Sequence, residues 1–133
     1  MKNEATPARK FKFPKSERLH SRKLIQLLFD QGSSFFLYPF KVFHLPNPEE
    51  VSSHQVLVTT SAKKYKKAVE RNLIKRRIRE AYRLNKHYLS EEIDPNINLL
   101  IAYIYVGKEI LPYEVMEVKL KESFTRLKSR YRN

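Results

Sequence analysis

The feature that most constrains the fold is a nearly unbroken apolar run at residues 97–106, with the sequence Ile-Asn-Leu-Leu-Ile-Ala-Tyr-Ile-Tyr-Val. The run is about ten residues long, well short of the roughly 20 that cross a bilayer. Its β-branched and aromatic content favours a strand, and a strand without alternating polar residues is typical of burial on both faces. Other elements must therefore cover this strand on both sides.

Two further strands are predicted before this run. Residues 35–45 are aromatic and β-rich, and Pro39 marks an edge or a strand start because it cannot donate to a ladder. We therefore expect one strand at about 39–45 and another at about 55–60. The turn-rich segment 46–53 joins them, so we interpret the pair as an antiparallel hairpin.

Three helices complete the predicted order. Ser21 as an N-cap and Gly32 as a helix stop predict a short helix at about 22–31. Residues 66–88 have a helical period, and Pro112 suits the first turn of a last helix. The core-facing stripe of that last helix comprises Met116, Leu120, Phe124, Leu127 and Tyr131. The expected fold is α+β, a small sheet with helices packed against it; a parallel strand–helix–strand unit ordinarily crosses over right-handed.

The positive charge is concentrated in part of the chain. The net charge is +13, which favours a polyanionic partner, nucleic acid first and an anionic membrane surface second. Residues 61–90 hold eleven Lys or Arg and two Glu, whereas residues 91–133 hold seven of each sign. Residues 1–17 are also basic. We interpret them as a flexible arm, with a solubilising tail as the alternative, before a single RNA-binding domain at residues 18–133.

Several classes of site have no support in the sequence. There is no cysteine, which excludes disulfides, thiolate metal ligands and cysteine nucleophiles. The four histidines are scattered, the carboxylates form no cluster typical of a metal-dependent nuclease, and two glycines cannot make a phosphate-binding loop. We therefore expect no catalytic residue and no metal ligand. We also expect a cytoplasmic protein without membrane contact, because no apolar run resembles a secretory signal or a membrane span.

One side of the helix at 66–88 is almost entirely cationic. At about 100° per residue, Ile74, Ile78 and Ala81 share an arc that should face the core. The opposite side carries Asn72, Lys75, Arg76, Arg79, Arg83 and Lys86. Like charges three or four residues apart repel by a few tenths of a kcal/mol per pair, so an anionic partner is expected. Arginine side chains suit phosphate groups and stack on bases. No helix-turn-helix pair precedes this helix, so RNA is favoured over duplex DNA as the partner. A basic face that is merely solvated is the alternative.

A specific pattern runs through this helix and the segment before it. It comprises Lys63-Lys64, Ala68-Val69, Arg71-Asn72, Lys75-Arg76 and Arg79. The pattern resembles the signature of the bacterial ribonuclease P protein component, and the resemblance extends over about residues 18–128. This chain departs from the family at Leu73, where a basic residue is usual, at Lys66, where glycine is common, and at Ile25, where an aromatic residue is expected. The resemblance implies an α/β sandwich on a mainly antiparallel four-stranded sheet with three helices and a left-handed β-α-β crossover.

The resemblance also implies a function and a set of partners. The family assists a catalytic RNA that, with magnesium ions, removes the 5′ leader of precursor tRNA. The implied partners are the catalytic RNA and precursor tRNA, with no obligate protein partner, and the Mg²⁺ is required by the RNA rather than bound by the protein. A structural RNA-binding protein, such as a ribosomal protein or an RNA chaperone, is the alternative, and a self-sufficient metal-dependent nuclease is a third possibility.

Two groups of residues carry the implied contacts. The predicted RNA-binding residues are Lys63, Lys64, Lys67, Arg71, Asn72, Lys75, Arg76, Arg79, Arg83 and Lys86. The leader is expected in a cleft lined by Phe29, Phe40 and Phe43, where an unpaired base can stack on an aromatic ring. Ordinary core packing is the alternative for these three rings.

Overall fold

A computed structural model describes residues 12–132, and these form three helices and four strands. In chain order the elements are α1 (Arg22–Gln31), β1 (Ser33–Leu37), β2 (Phe40–Pro46), β3 (Gln55–Thr60), α2 (Ala68–Ser90), β4 (Leu99–Tyr105) and α3 (Tyr113–Tyr131). A short 3-10 turn at Lys15–Glu17 precedes α1. None of the helices in the described part of the chain is long and apolar enough to cross a membrane.

The four strands form one mixed sheet in the order β1-β2-β4-β3. β1 pairs with β2 and β2 with β4, both antiparallel, whereas β3 and β4 are parallel. Two of the three pairings are therefore antiparallel, as the family resemblance implies. The parallel pair is joined through α2, and the hand of that crossover stays a prediction.

One expectation about the strands is wrong, and one strand was not predicted. β2 and β3 do not form an antiparallel hairpin, because β4 lies between them and pairs with both. The predicted strand at about 39–45 is confirmed as β2, and the aromatic segment at 35–45 also holds the end of β1, which was not predicted. The two strands turn at Tyr38-Pro39, with Leu37 opposite Phe40. The interpretation of Pro39 as an edge or a strand start does not indicate that another strand precedes it.

Helices cover the sheet on both faces, which explains the unbroken apolar run. On one face, Ile78 of α2 and Phe124 of α3 share a core with Tyr103 of β4. On the other face, Leu28 of α1 packs with Ala102 of β4. Successive residues of β4 thus enter two different cores, and all of the strand except its partly exposed sixth residue is buried. The prediction of a strand buried on both faces is confirmed.

The boundaries of α1 follow from local chemistry. The Ser21 hydroxyl accepts a hydrogen bond from the backbone N–H of Leu24 at 3.3 Å, which caps the first turn. At the other end, Gly32 donates its backbone N–H to the carbonyl of Leu28. A Cβ added at Gly32 would lie 2.4 Å from that carbonyl oxygen, so a side chain does not fit there. The predicted helix at 22–31 is confirmed.

Residues 12–17, which the sequence places in the basic arm, lie against the domain. Phe13 is buried, and its ring centroid is 5.3 Å from that of Tyr82 on α2. The rest of the predicted arm, residues 1–11, lies outside the described residues.

Candidate RNA interface

α2 presents an apolar arc to the core and a polar side to solvent. Ile74, Ile78 and Ala81 are fully buried, as the helical period predicts. On the opposite side Arg76 and Arg79 are exposed, as is Asn72. The apolar arc of the helix is thereby confirmed, and its cations are left toward solvent.

The accessible cations extend from the start of α2 into the segment before it. Lys63, Lys64 and Lys67 are exposed, and Lys75 is half-buried on the helix. Together with the three exposed residues above, they form what we call the basic surface. Its members are Lys63, Lys64, Lys67, Asn72, Lys75, Arg76 and Arg79. Within the described chain, none of the ion pairs involves a member of this surface.

Positive charge from the N-terminal segment reinforces one end of this surface. Partial burial lowers the pKa of Arg79, and the nearby charge of Arg18 lowers it further. Both residues line the same groove, of about 360 Å³, beside β3. An anion placed here would relieve the repulsion between the two guanidinium groups.

Arg71 has a structural task in addition to its charge. Its Nη1 donates to the backbone carbonyls of Tyr65, at 2.8 Å, and Lys66, at 2.7 Å. These bonds fix the segment that carries Lys63 and Lys64 against the first turn of α2. Arg71 therefore positions part of the basic surface, and its own contact with RNA stays a prediction.

Arg83 and Lys86 are not free cations, which corrects their assignment to the exposed basic face. Arg83 is bound to Glu80, with Nη2 2.6 Å and Nε 3.0 Å from the carboxylate oxygens. The Lys86 ammonium lies 2.6 Å from a carboxylate oxygen of Glu17 and also donates to the carbonyl of Lys12. The first pair was predictable, because its partners lie three positions apart on one helix. The second joins residues 69 apart in sequence, so no local pattern indicates it.

On the face opposite α2, α1 packs against the sheet. Phe29 of α1 and Phe43 of β2 meet there edge to face, with ring centroids 4.8 Å apart, and both rings are partly exposed. The ammonium of Lys41 lies 5.5 Å from the centroid of the Phe43 ring. We call the partly exposed surface formed by Phe29, Phe43 and Lys41 the α1 cleft, after the leader cleft that the family resemblance implies. Sequence reasoning missed Lys41, although it is the only Lys or Arg between residues 24 and 60 and lies two residues from Phe43 on the same strand face.

Phe40 does not line this cleft, so its predicted role in leader binding is wrong. The side chain is fully buried in the core beneath α2 and α3. Its ring centroid lies 5.6 Å from that of Tyr103 and 6.2 Å from that of Tyr105. Phe40 and Phe43 are separated by an odd number of positions on one strand, so they point to opposite faces of the sheet.

The buried histidines have structural roles. The Nδ1 atom of His54 accepts a hydrogen bond from the backbone N–H of Leu99 at 2.9 Å, and that of His44 lies 2.6 Å from the hydroxyl of Tyr131. Burial lowers the pKa of both histidines to about 4, with the charge of Arg130 adding to the effect at His44. Both rings are therefore neutral near pH 7. Among residues 12–132, no group of three or more His, Asp or Glu side chains could hold a metal ion.

The family of the chain is decided by comparison with known proteins. The model of the ribonuclease P family matches residues 13–129. The chain belongs to the ribonuclease P protein family. The ribonuclease P protein component of Porphyromonas gingivalis is 36% identical over 119 residues, covering 88% of this chain and 87% of the relative. That of Citrifermentans bemidjiense is 37% identical over 119 residues, covering 90% and 95%.

Solved ribonuclease P proteins share the fold. The structure from Staphylococcus aureus has a TM-score of 0.70 at 22% identity, covering 90% of this chain and 100% of that one. The structure from Thermotoga maritima has a TM-score of 0.67 at 27% identity, covering 83% and 96%.

Membership of the ribonuclease P family settles the class of function. The chain is the protein subunit of a ribonucleoprotein endonuclease, it works with the ribonuclease P RNA, and it serves the maturation of tRNA 5′ ends. The alternatives of a ribosomal protein, an RNA chaperone and a self-sufficient nuclease are therefore set aside.

Proposed function

We propose that this ribonuclease P subunit binds the catalytic RNA through the basic surface and the 5′ leader of precursor tRNA through the α1 cleft. The RNA carries out the hydrolysis with magnesium ions that it holds, and the protein contributes binding. The protein works in the cytoplasm, without an obligate protein partner. The observation that carries the proposal is the accessible charge of the basic surface around the start of α2, whose cations take part in none of the ion pairs within residues 12–132.

The basic surface has the chemistry of a phosphate-binding site. Lys75 and Arg76 lie four and three positions before Arg79 on α2, so the three cations repel one another, and the phosphates of a partner would neutralise them. The guanidinium groups of Arg76 and Arg79 offer paired N–H donors that match phosphate oxygens. Asn72, which is exposed between them and the preceding segment, can bond a sugar hydroxyl or a base edge.

The α1 cleft has a different chemistry, which suits an unpaired strand. Phe29 and Phe43 offer partly exposed ring surface, and Lys41 places a cation beside it. Bases stack on such rings, while the cation attracts the adjacent backbone phosphate. Precursor tRNA has an unpaired leader and mature tRNA does not, so this cleft distinguishes substrate from product.

Phe29→Ala tests the leader assignment. In holoenzyme reconstituted with ribonuclease P RNA, we expect the variant to bind precursor tRNA roughly tenfold more weakly, since a stacked base contributes about 1–3 kcal/mol. Binding of mature tRNA should change by less than about twofold. The measurement is the equilibrium dissociation constant for each RNA.

Leu27→Ala is the matched control, because Leu27 is also half-buried on α1 and packs in the same core cluster. We expect it to leave the ratio of precursor to mature tRNA affinity unchanged. Equal losses for the two RNAs in Phe29→Ala would mean that the ring only supports the fold, and the leader assignment would be abandoned.

A further inference from the structure

Two large aromatic side chains are exposed at the edge of the sheet farthest from β3. Phe36, near the end of β1, is 58% exposed, and Tyr38, in the turn after it, is 44% exposed. Their ring centroids are 6.3 Å apart. Neither ring is needed to fill a core, so this pair offers free stacking surface on the outside of the domain.

Hydrogen bonds hold the side chain of Tyr38 and the backbone of Phe36. The Tyr38 hydroxyl accepts a hydrogen bond from the backbone N–H of Lys108 at 3.1 Å. The backbone carbonyl of Phe36 accepts one from Arg126 Nη1 at 3.4 Å. A ring that is already ordered loses little conformational freedom when a base stacks on it.

The exposed pair is continuous with the α1 cleft. Phe36 lies directly opposite Lys41 in the register of β1 and β2, and the ammonium of Lys41 lies over the ring of Phe43. Phe36 and Phe43 are thus diagonal neighbours on one face of the sheet, with side chains roughly 7–8 Å apart at their bases. Aromatic rings therefore continue from Phe29 through Phe43 to the edge of the sheet.

The charge around this edge favours a polyanion. Lys41, Lys108, Arg126 and Arg130 are all exposed there. Arg130 also donates to the hydroxyl of Ser33 on β1. Because arginines occupy polar groups along the open side of β1, they also oppose pairing of this edge with a strand of another protein.

We propose that Phe36 and Tyr38 form a second stacking subsite for unpaired RNA, occupied by leader nucleotides farther from the cleavage site than those in the α1 cleft. The inference rests on the proposed role of that cleft. The direction follows from the sheet order: α2 packs beside β3, and β1 is the opposite edge. A leader that starts near the basic surface crosses β4 and β2 before it reaches β1.

Leaders of increasing length test this subsite. Holoenzyme reconstituted with ribonuclease P RNA is titrated with precursor tRNAs that differ only in the length of an unstructured leader. For the unsubstituted protein we expect affinity to rise in two steps, first when the leader fills the α1 cleft and again when it becomes long enough to reach Phe36. Phe36→Ala should remove that last rise, with binding of the longest leader about five- to tenfold weaker and binding of the shortest unchanged. Phe36→Tyr, which keeps a stacking ring, should retain the rise.

Val118→Ala is the matched control, because Val118 is an apolar side chain on α3 that is also 58% exposed. It should leave the whole length series unchanged. A loss in Phe36→Ala that is equal at every leader length would overturn the proposal, as would a length series identical to that of the unsubstituted protein. A Phe36-dependent dimer in sedimentation, without an effect of leader length, would also overturn it in favour of self-association.

Cross-linking of the unsubstituted protein gives a measurement that does not depend on the stability of a variant. With 5-iodouridine placed along the leader, distal positions should cross-link to Phe36 or Tyr38, and proximal positions to Phe29 or Phe43. Proximal cross-links without distal ones would reject the second subsite and leave the proposed function intact. If no proximal position cross-links to Phe29 or Phe43, the proposed role of the α1 cleft itself is rejected.

Discussion

Arg76→Glu/Arg79→Glu should weaken binding of the ribonuclease P RNA by about 100-fold or more. Both side chains are exposed on α2 and take no part in the ion pairs of the described chain, so the substitutions remove no known internal contact. A hydrogen bond to a charged group contributes roughly 1.5–3 kcal/mol, and each 1.4 kcal/mol is a factor of ten in affinity. Two lost contacts, with added repulsion from the new carboxylates, give the expected change.

Lys119→Glu/Lys121→Glu is the control for net charge, because it makes the same change of charge on α3, outside the basic surface. It breaks the exposed ion pair of Lys119 with Glu122 and the contact of the Lys121 ammonium with the exposed Tyr88 ring, both of which contribute little to stability. We expect the control to weaken RNA binding severalfold at most. A plot of the logarithm of the binding constant against the logarithm of the salt concentration should also become shallower, and only in the α2 variant. Its slope should change by roughly 0.9 for each lost phosphate contact on a duplex-like backbone. Equal losses in both variants would show that total charge, and not this surface, determines binding.

Phe40→Ala should destabilise the protein by about 3–5 kcal/mol without a selective effect on leader binding. The ring is fully buried against Tyr103 and Tyr105, and truncating a buried phenylalanine removes apolar contacts and leaves a cavity. The measurement is the free energy of unfolding from urea denaturation. For the protein that remains folded, the ratio of precursor to mature tRNA affinity should be unchanged.

Phe43→Ala is the comparison for that prediction, since it lies on the same strand with its ring toward the α1 cleft. It should cost less stability than Phe40→Ala, because its ring is partly exposed, and it should lower the affinity for precursor tRNA selectively. The reverse pattern, with Phe40 controlling leader binding and Phe43 controlling stability, would contradict the assignment of the two rings to opposite faces.

The parts of the fold that depend on nearby residues were predictable from the sequence. α1 begins and ends where its cap and its glycine indicate, and the buried arc of α2 follows from its helical period. The strand pairing was not predictable in the same way. β4 separates β2 from β3 although it follows both by many residues, so a local preference for hairpins gave the wrong partner.

The same distinction holds for the candidate site: features that depend on local spacing were predictable, and features that depend on distant contacts were not. The exposure of Arg76 and Arg79 follows from helix geometry, and the burial of Phe40 follows from strand alternation once the face of Phe43 is fixed. The neutralisation of Lys86 by Glu17 depends on how the N-terminal segment folds back on α2, which no spacing in the sequence indicates.

The central claim is that the chain acts as the protein subunit of an RNA enzyme, and reconstitution tests it most directly. The measurement is removal of the 5′ leader from precursor tRNA at a magnesium concentration that limits the ribonuclease P RNA, with the RNA alone, the protein alone and both together. We predict cleavage at the mature 5′ end only when both are present. Cleavage by the protein freed of RNA, or an RNA whose activity is unchanged by the protein, would contradict the account.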